Sequence, residues 1–131
     1  MAYIFGSQQE EGMKFLKGLK SAPDDVSDLD VGLLPKKPPQ HMYEYYGGLY
    51  YDLSSVFEPF KIDILFLHEV HSLLKFEVIK RHRIYASDEN FASDYEEAVL
   101  KTASDLAFKR KEFEKDFFEA IEHGYFEIEL K

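Results

Sequence analysis

The sequence predicts an α+β fold: a small mixed or antiparallel sheet covered by helices and followed by a long C-terminal helical region. Three observations predict it. Short apolar runs with strand character stand at Tyr3-Ile4-Phe5, at residues 29 to 34 and in KIDILFL at 61 to 67. Between and after them, apolar residues recur at three and four positions, the period of a helix with one buried side. The 131 residues are 45% hydrophobic and 16% aromatic, enough for a core in one domain spanning 1–131.

Taken in order, the first strand stops at Gly6-Ser7, and QEEGMKFLKGLK at 9 to 20 reads as a helix. Met13, Leu16 and Leu19 form its apolar stripe, with Lys14, Lys17 and Lys20 toward the other side. Ser21 to Ser27 is a polar connection into the second strand. KKPPQ at 36 to 40 cannot continue a central strand, because proline supplies no amide hydrogen. Residues 42 to 57, rich in Tyr, read mostly as helix. In the third strand Ile62, Ile64 and Phe66 share one side, and Asp63, Leu65 and Leu67 the other. A helix at about 69 to 80 turns Val70, Leu73, Leu74 and Val78 inward, and Arg83-Ile84-Tyr85 is a short extended segment. From about Asp88 to His123 the pattern predicts one bent helix or two consecutive ones. YFEIELK at the end reads as an edge strand or an ordered tail.

Composition excludes several classes. There is no Cys, hence no disulfide, thiolate metal site or thiol nucleophile, which suits a reducing, cytoplasmic setting. No apolar segment approaches membrane-spanning length, and MAYIFGS lacks the basic flank of a signal peptide. A net charge of -9 argues against direct nucleic-acid binding, which depends on neutralising phosphates with Lys and Arg. Homo-oligomerisation is left open.

The candidate chemistry lies in carboxylates. Asp28 and Asp30, two apart in SDLD, point to the same side of an extended chain, with Leu29 and Val31 on the other. An acidic pair before a strand also suits a solvated turn. Asp63, flanked by Ile62 and Ile64, is harder to explain by packing, since burying an unpaired charge is costly. If its strand lies beside 29–34, all three carboxylates converge, and three hard oxygen donors suit Mg²⁺ or Mn²⁺ and suit zinc poorly. Gly6 lets a ligand approach the backbone, and Ser7 with the following helix start offers a hydroxyl and amides to phosphate.

Gly6-Ser7 after YIF, Asp28 and Asp30 in SDLD, and Asp63 in FKIDILFL together resemble the polymerase-beta-like nucleotidyltransferases. The nearest likeness is to their small prokaryotic branch, the minimal nucleotidyltransferases. The stretch FEVIKRHRIYASDENFASDYEEAV also looks like that branch's passage from a helix through a short strand into a long C-terminal helix. The resemblance implies that Asp28, Asp30 and Asp63 are catalytic, hold Mg²⁺ or Mn²⁺, and act on ATP as co-substrate. It implies that Gly6 and Ser7 contact the nucleotide phosphates. No Arg stands between Ser7 and Asp28, so further triphosphate contacts fall to Lys14, Lys17 or backbone amides. The link from Ser7 to Asp28 is longer than the family's usual one, and the family's helix before the first strand has no counterpart.

The branch includes antitoxins paired with HEPN-domain toxins, some of which transfer AMP from ATP to a tyrosine of the partner. The implied function is therefore a protein adenylyltransferase antitoxin with a co-encoded HEPN toxin as partner. The alternatives are a degenerate antitoxin that acts by binding alone and a nucleotidyltransferase acting on a small molecule.

Overall fold

A computed structural model of the chain describes residues 1–122. Four strands form one sheet: β1 (Ala2–Phe5), β2 (Leu29–Leu33), β3 (Ile62–Phe66) and β4 (His82–Tyr85). Their order across the sheet is β3-β2-β1-β4. β1 is antiparallel to both neighbours, whereas β2 and β3 run parallel, so the sheet is mixed. The parallel pair is allowed by a long crossover carrying α2 (Met42–Val56). The remaining helices are α1 (Gln9–Leu16), α3 (Ser72–Ile79) and α4 (Glu89–Glu122). The expected strand or tail at YFEIELK lies outside the described residues.

Each sheet face builds its own core. Ile4, Leu29, Val31, Ile62, Ile64 and Phe66 pack on one side with Phe57 and Phe60, and Met13 and Phe15 of α1 and Leu49 and Leu53 of α2 close over them. Tyr3, Leu34, Leu67 and Val78 form the second cluster, joined by Leu74 of α3 and by Phe91 and Tyr95 of α4. Fully burying a side chain such as Ile4 or Val31 stabilises by roughly 1.5–3 kcal/mol. The alternation in β3 sends Ile62, Ile64 and Phe66 into the first layer and Leu65 against the second, with Asp63 exposed beyond it.

Several sequence expectations are corrected. The first helix ends at Leu16, not at 20. Gly18 takes φ +72°, its amide donates to the Phe15 carbonyl, and the Leu19 amide reaches back to that of Lys14 at 2.9 Å. That paired closure by a left-handed glycine stops a helix. β2 ends at Leu33 rather than 34. After β3 the chain makes a single 3₁₀ turn, Leu67–Glu69, so α3 begins only at Ser72. Within α3 the expected inward set holds for Val78 and Leu74, but Leu73 is 52% exposed.

The C-terminal region is one continuous helix. Asp88 caps it, its Oδ1 accepting from the Phe91 amide at 3.1 Å. Arg83 on β4 clamps its first turns, reaching Glu89 at 2.8 Å and Glu96 at 3.0 Å, while the Tyr3 hydroxyl donates to Glu96 from the core side. Burial and that hydrogen bond raise the pKa of Tyr3 well above the usual phenol range, so the hydroxyl stays a donor. No helix among the described residues is long and apolar enough to cross a membrane.

A candidate nucleotide and metal site at the end of the central strands

β2 is the sheet's inner parallel strand, and its register places Asp30 opposite Phe5 of β1 and opposite Asp63 of β3. Residues in such a cross-strand row point to the same face. The next row on that face is Tyr3, Gly32 and Leu65. It is covered: a Cβ on Gly32 would stand 2.9 Å from Cγ1 of Val78 in α3 and 3.5 Å from the Phe5 ring. The acidic row thus begins where the helical cover ends. Asp63 is exposed, Asp30 half-buried, and Asp28, one residue before β2, exposed.

Gly6 closes the site from β1. Its φ of +78° is a left-handed conformation that L side chains rarely adopt, and a Cβ there would fall on the Asp30 carboxylate. The turn beyond it is held by the Gln9 amide donating to the Gly6 carbonyl at 3.2 Å, and it delivers the chain into α1. Ser7 is exposed at this turn. Gln8 follows and is buried despite its polarity. Sequence reasoning passed over it, and no local pattern singles it out.

The electrostatics record the crowding. Burial raises the pKa of Asp30 above the ordinary carboxylate value, and the negative charges of Asp63 and then Asp28 raise it further. Asp30 thus senses the charges of both Asp63 and Asp28, and that repulsion is what a cation would relieve. Among the described residues, however, no group of three or more His, Asp or Glu side chains is gathered as a ready metal site. The donor chemistry fits a hard divalent ion; the side chains stand beside one another without being closed around a point.

The other expected contacts lie elsewhere on α1. Lys14 pairs with Glu11 at 3.2 Å, and Lys17 caps the helix C-terminus, the end remote from Gly6. His68 and His71, neighbours in sequence, have separate surroundings. His71 Nδ1 caps α3 by accepting from the Leu74 amide at 3.3 Å, and His68 lies against the Phe66 ring. The Tyr-rich segment forms α2, which buries no residue completely. Tyr45 and Tyr46 meet Phe66, and Tyr43 is 95% exposed beside a pocket of about 590 Å³ that also touches Tyr46 and Ile64.

No protein-family model matches this sequence, and no curated protein matches it significantly. Solved structures do match by fold. One is a rebuilt and re-refined structure of the tri-AMPylated Shewanella oneidensis HEPN toxin in complex with MNT antitoxin, with a TM-score of 0.55 and 14% identity. The match covers 89% of this chain and 81% of that one. A mutant of the toxin-antitoxin MntA-HpeT and a toxin-antitoxin with AMP-PNP each match with a TM-score of 0.57 and 15% identity. These cover 89% of this chain and 84% of theirs. At such identities the likeness is one of fold: this chain has the architecture of chains found in toxin–antitoxin structures, one of them a complex with a HEPN toxin.

Proposed function

We propose that this chain is the antitoxin of a toxin–antitoxin pair and a metal-dependent nucleotidyltransferase that moves AMP from ATP to a tyrosine of a HEPN-domain partner. One observation carries the reading. Asp30 and Asp63 are paired across parallel strands, Asp28 adds its charge to theirs, and Gly6 leaves open the space against Asp30 that any side chain would fill. The fold likeness to chains of toxin–antitoxin structures, one with a tri-AMPylated HEPN toxin and one with AMP-PNP, supports the choice of partner and nucleotide.

In this reading Asp28, Asp30 and Asp63 hold Mg²⁺ or Mn²⁺. Such an ion neutralises phosphate charge and favours the ionised form of an acceptor hydroxyl. The Gly6-Ser7 turn and the amides entering α1 bind the phosphates of ATP. The acceptor oxygen attacks the α-phosphorus, the new P–O bond forms as the bond to pyrophosphate breaks, and Asp63 takes the acceptor proton. The row position of Asp63, exposed at the sheet margin, leaves it accessible to an acceptor arriving from outside. Lys14, paired with Glu11, and Lys17, at the far end of α1, stand apart from the Gly6 turn, and their substitution tests whether either reaches the triphosphate. ATP, a divalent metal and a cytoplasmic HEPN partner are the components this activity requires.

A binding-only antitoxin is the second reading, favoured by the absence of a gathered metal cluster among the described residues. Intact-mass measurement after incubating the chain with ATP, Mg²⁺ and its partner decides between them. Addition of AMP to the partner, lost in Asp63→Asn, supports transfer; an unchanged partner mass overturns it.

A further inference from the structure

The second half of α4 carries a surface that the proposed chemistry does not use. Val99, Ala103, Leu106, Arg110, Phe113, Phe117 and Ala120 are spaced alternately four and three apart. That is the seam of a two-helix coiled coil. The seam starts inside the molecule, where Val99 and Ala103 are buried. It then runs onto the more exposed half of the helix, where Leu106 is 40% and Phe113 69% exposed. From Leu106 to the last described residue this helix is about 25 Å long. Charge along it is unevenly placed. Lys109, Arg110 and Lys111 form a basic turn, and Glu112, Glu114, Asp116, Glu119 and Glu122 follow with Lys115 alone between them.

We infer that this seam is a homodimer interface in which α4 of one copy packs antiparallel on α4 of a second. An antiparallel arrangement sets the basic turn of each copy against the acidic stretch of the other, whereas a parallel one opposes like charges. One register satisfies seam and charge together, with the two-fold axis between Lys111 and Glu112. Phe113 of one copy then meets Arg110 of the other, a cation over an aromatic face. Phe117 meets Leu106, and Lys109 flanks Asp116; Val99 and Ala103, buried within each copy, lie outside the shared seam. Every contact occurs twice, as a two-fold interface demands. Arg110 is free to make this exchange, because its present partner Glu114, at 3.2 Å one turn along the same exposed helix, holds it only weakly. Clefts of about 480 and 430 Å³ beside Leu73, Ala107 and Leu106 widen the groove next to the seam and leave room for the arriving helix.

The test is sedimentation equilibrium of the full chain from low to high micromolar concentration, where self-association must be concentration-dependent. The wild type is expected to dimerise. Lys109→Asp should place Asp opposite Asp116 and weaken the dimer at least about tenfold, and Asp116→Lys should do the same. The double substitution restores opposite charges and should recover the dimer. Phe113→Glu should give a monomer with unchanged helix content, since that side chain supports no core. A wild type that stays monomeric throughout overturns the inference, including the case in which Phe113→Glu instead abolishes binding of a different protein. So does a dimer that tolerates Phe113→Glu, or a charge swap that fails to recover what its two parts lose.

Discussion

A side chain at Gly6 would collide with the carboxylate of Asp30. Asp30 lies in β2 and Gly6 just beyond the end of its antiparallel neighbour β1, whose last residue, Phe5, is Asp30's register partner. The last residue before the turn thus fixes where the glycine sits, and the glycine keeps one side of the carboxylate open. Gly6→Val should lower stability by about 1–2 kcal/mol from the left-handed backbone alone. Its larger effect should be on ATP binding in the presence of Mg²⁺. Titration calorimetry beside a denaturation curve separates the two, and a folded variant with wild-type affinity would remove Gly6 from the phosphate site.

Asp30 makes a pH-dependent prediction. Its pKa is raised in the folded chain, so folding favours the protonated form and ionisation works against the fold. The penalty is fully present above the raised folded value and vanishes below the ordinary unfolded value of 3.8. Asp30→Asn should therefore raise the melting temperature at neutral pH in metal-free buffer, and the gain should shrink as pH falls through that window. With Mg²⁺ and an unhydrolysable ATP analogue the order should reverse, because only the wild type gains the ion's stabilisation. Equal response to metal in the two proteins would mean that Asp30 does not hold it.

Gly32 ties the site to the core beside it. Val78 leans to within 2.9 Å of where its Cβ would be, so Gly32→Ala should overpack the face and cost about 1–3 kcal/mol. Val78→Ala in the same chain should relieve much of the clash while opening space of its own. Urea denaturation of the two single variants and the pair measures the coupling, and strict additivity would show that the residues do not compete for that space.

The network that seats α4 can be tested at Tyr3. Its hydroxyl donates to Glu96, which Arg83 also holds at 3.0 Å. Tyr3→Phe should cost about 1–2 kcal/mol, since a hydrogen bond to a charged group is lost while Glu96 keeps its Arg partner. Removing the carboxylate with Glu96→Ala should cost more, because the buried hydroxyl and Arg83 both lose it. Thermal unfolding gives the order.

The fold was legible wherever a local rule was strong. YIF, LDVGLL and KIDILFL are short apolar runs ended by turn residues, and all three are strands; Asp88 and Phe91 announce the start of α4 as a capped helix. What stayed hidden depended on three dimensions. The left-handed conformation of Gly18 ends α1 early, although Leu19 continues its apolar stripe. Leu73 fits an inward position by spacing alone, yet it stands about 100° around α3 from Leu74, which packs on the core while Leu73 stays exposed. The neighbour relation of Asp30 and Asp63 was conditional on which strands pair, and nothing local to either residue specifies a parallel β2–β3 crossover. Gln8 had no signal at all, because its burial follows from how the Gly6 turn enters α1.

Whether the acidic row performs transfer or only survives in a binding protein is decided by stoichiometry. If it performs transfer, a small amount of this chain should modify an excess of partner when ATP and Mg²⁺ are present, with one AMP unit added per event. On the proposed reading Asp28→Asn and Asp63→Asn would each remove a ligand for the ion, and each should lower the rate at least about a hundredfold. Neither position lies in a core cluster, so both variants should remain folded and should still bind the partner. Lys14→Ala and Lys17→Ala grade the phosphate contacts: a raised KM for ATP with kcat held assigns a Lys to ground-state nucleotide binding. Toxin inhibition supplies the second readout. Protection that needs ATP and persists at substoichiometric dose follows from modification. Equal protection by wild type and both Asp variants, only at one-to-one amounts and without nucleotide, would leave this chain a binding antitoxin and make the paired carboxylates of β2 and β3 a remnant of chemistry it no longer performs.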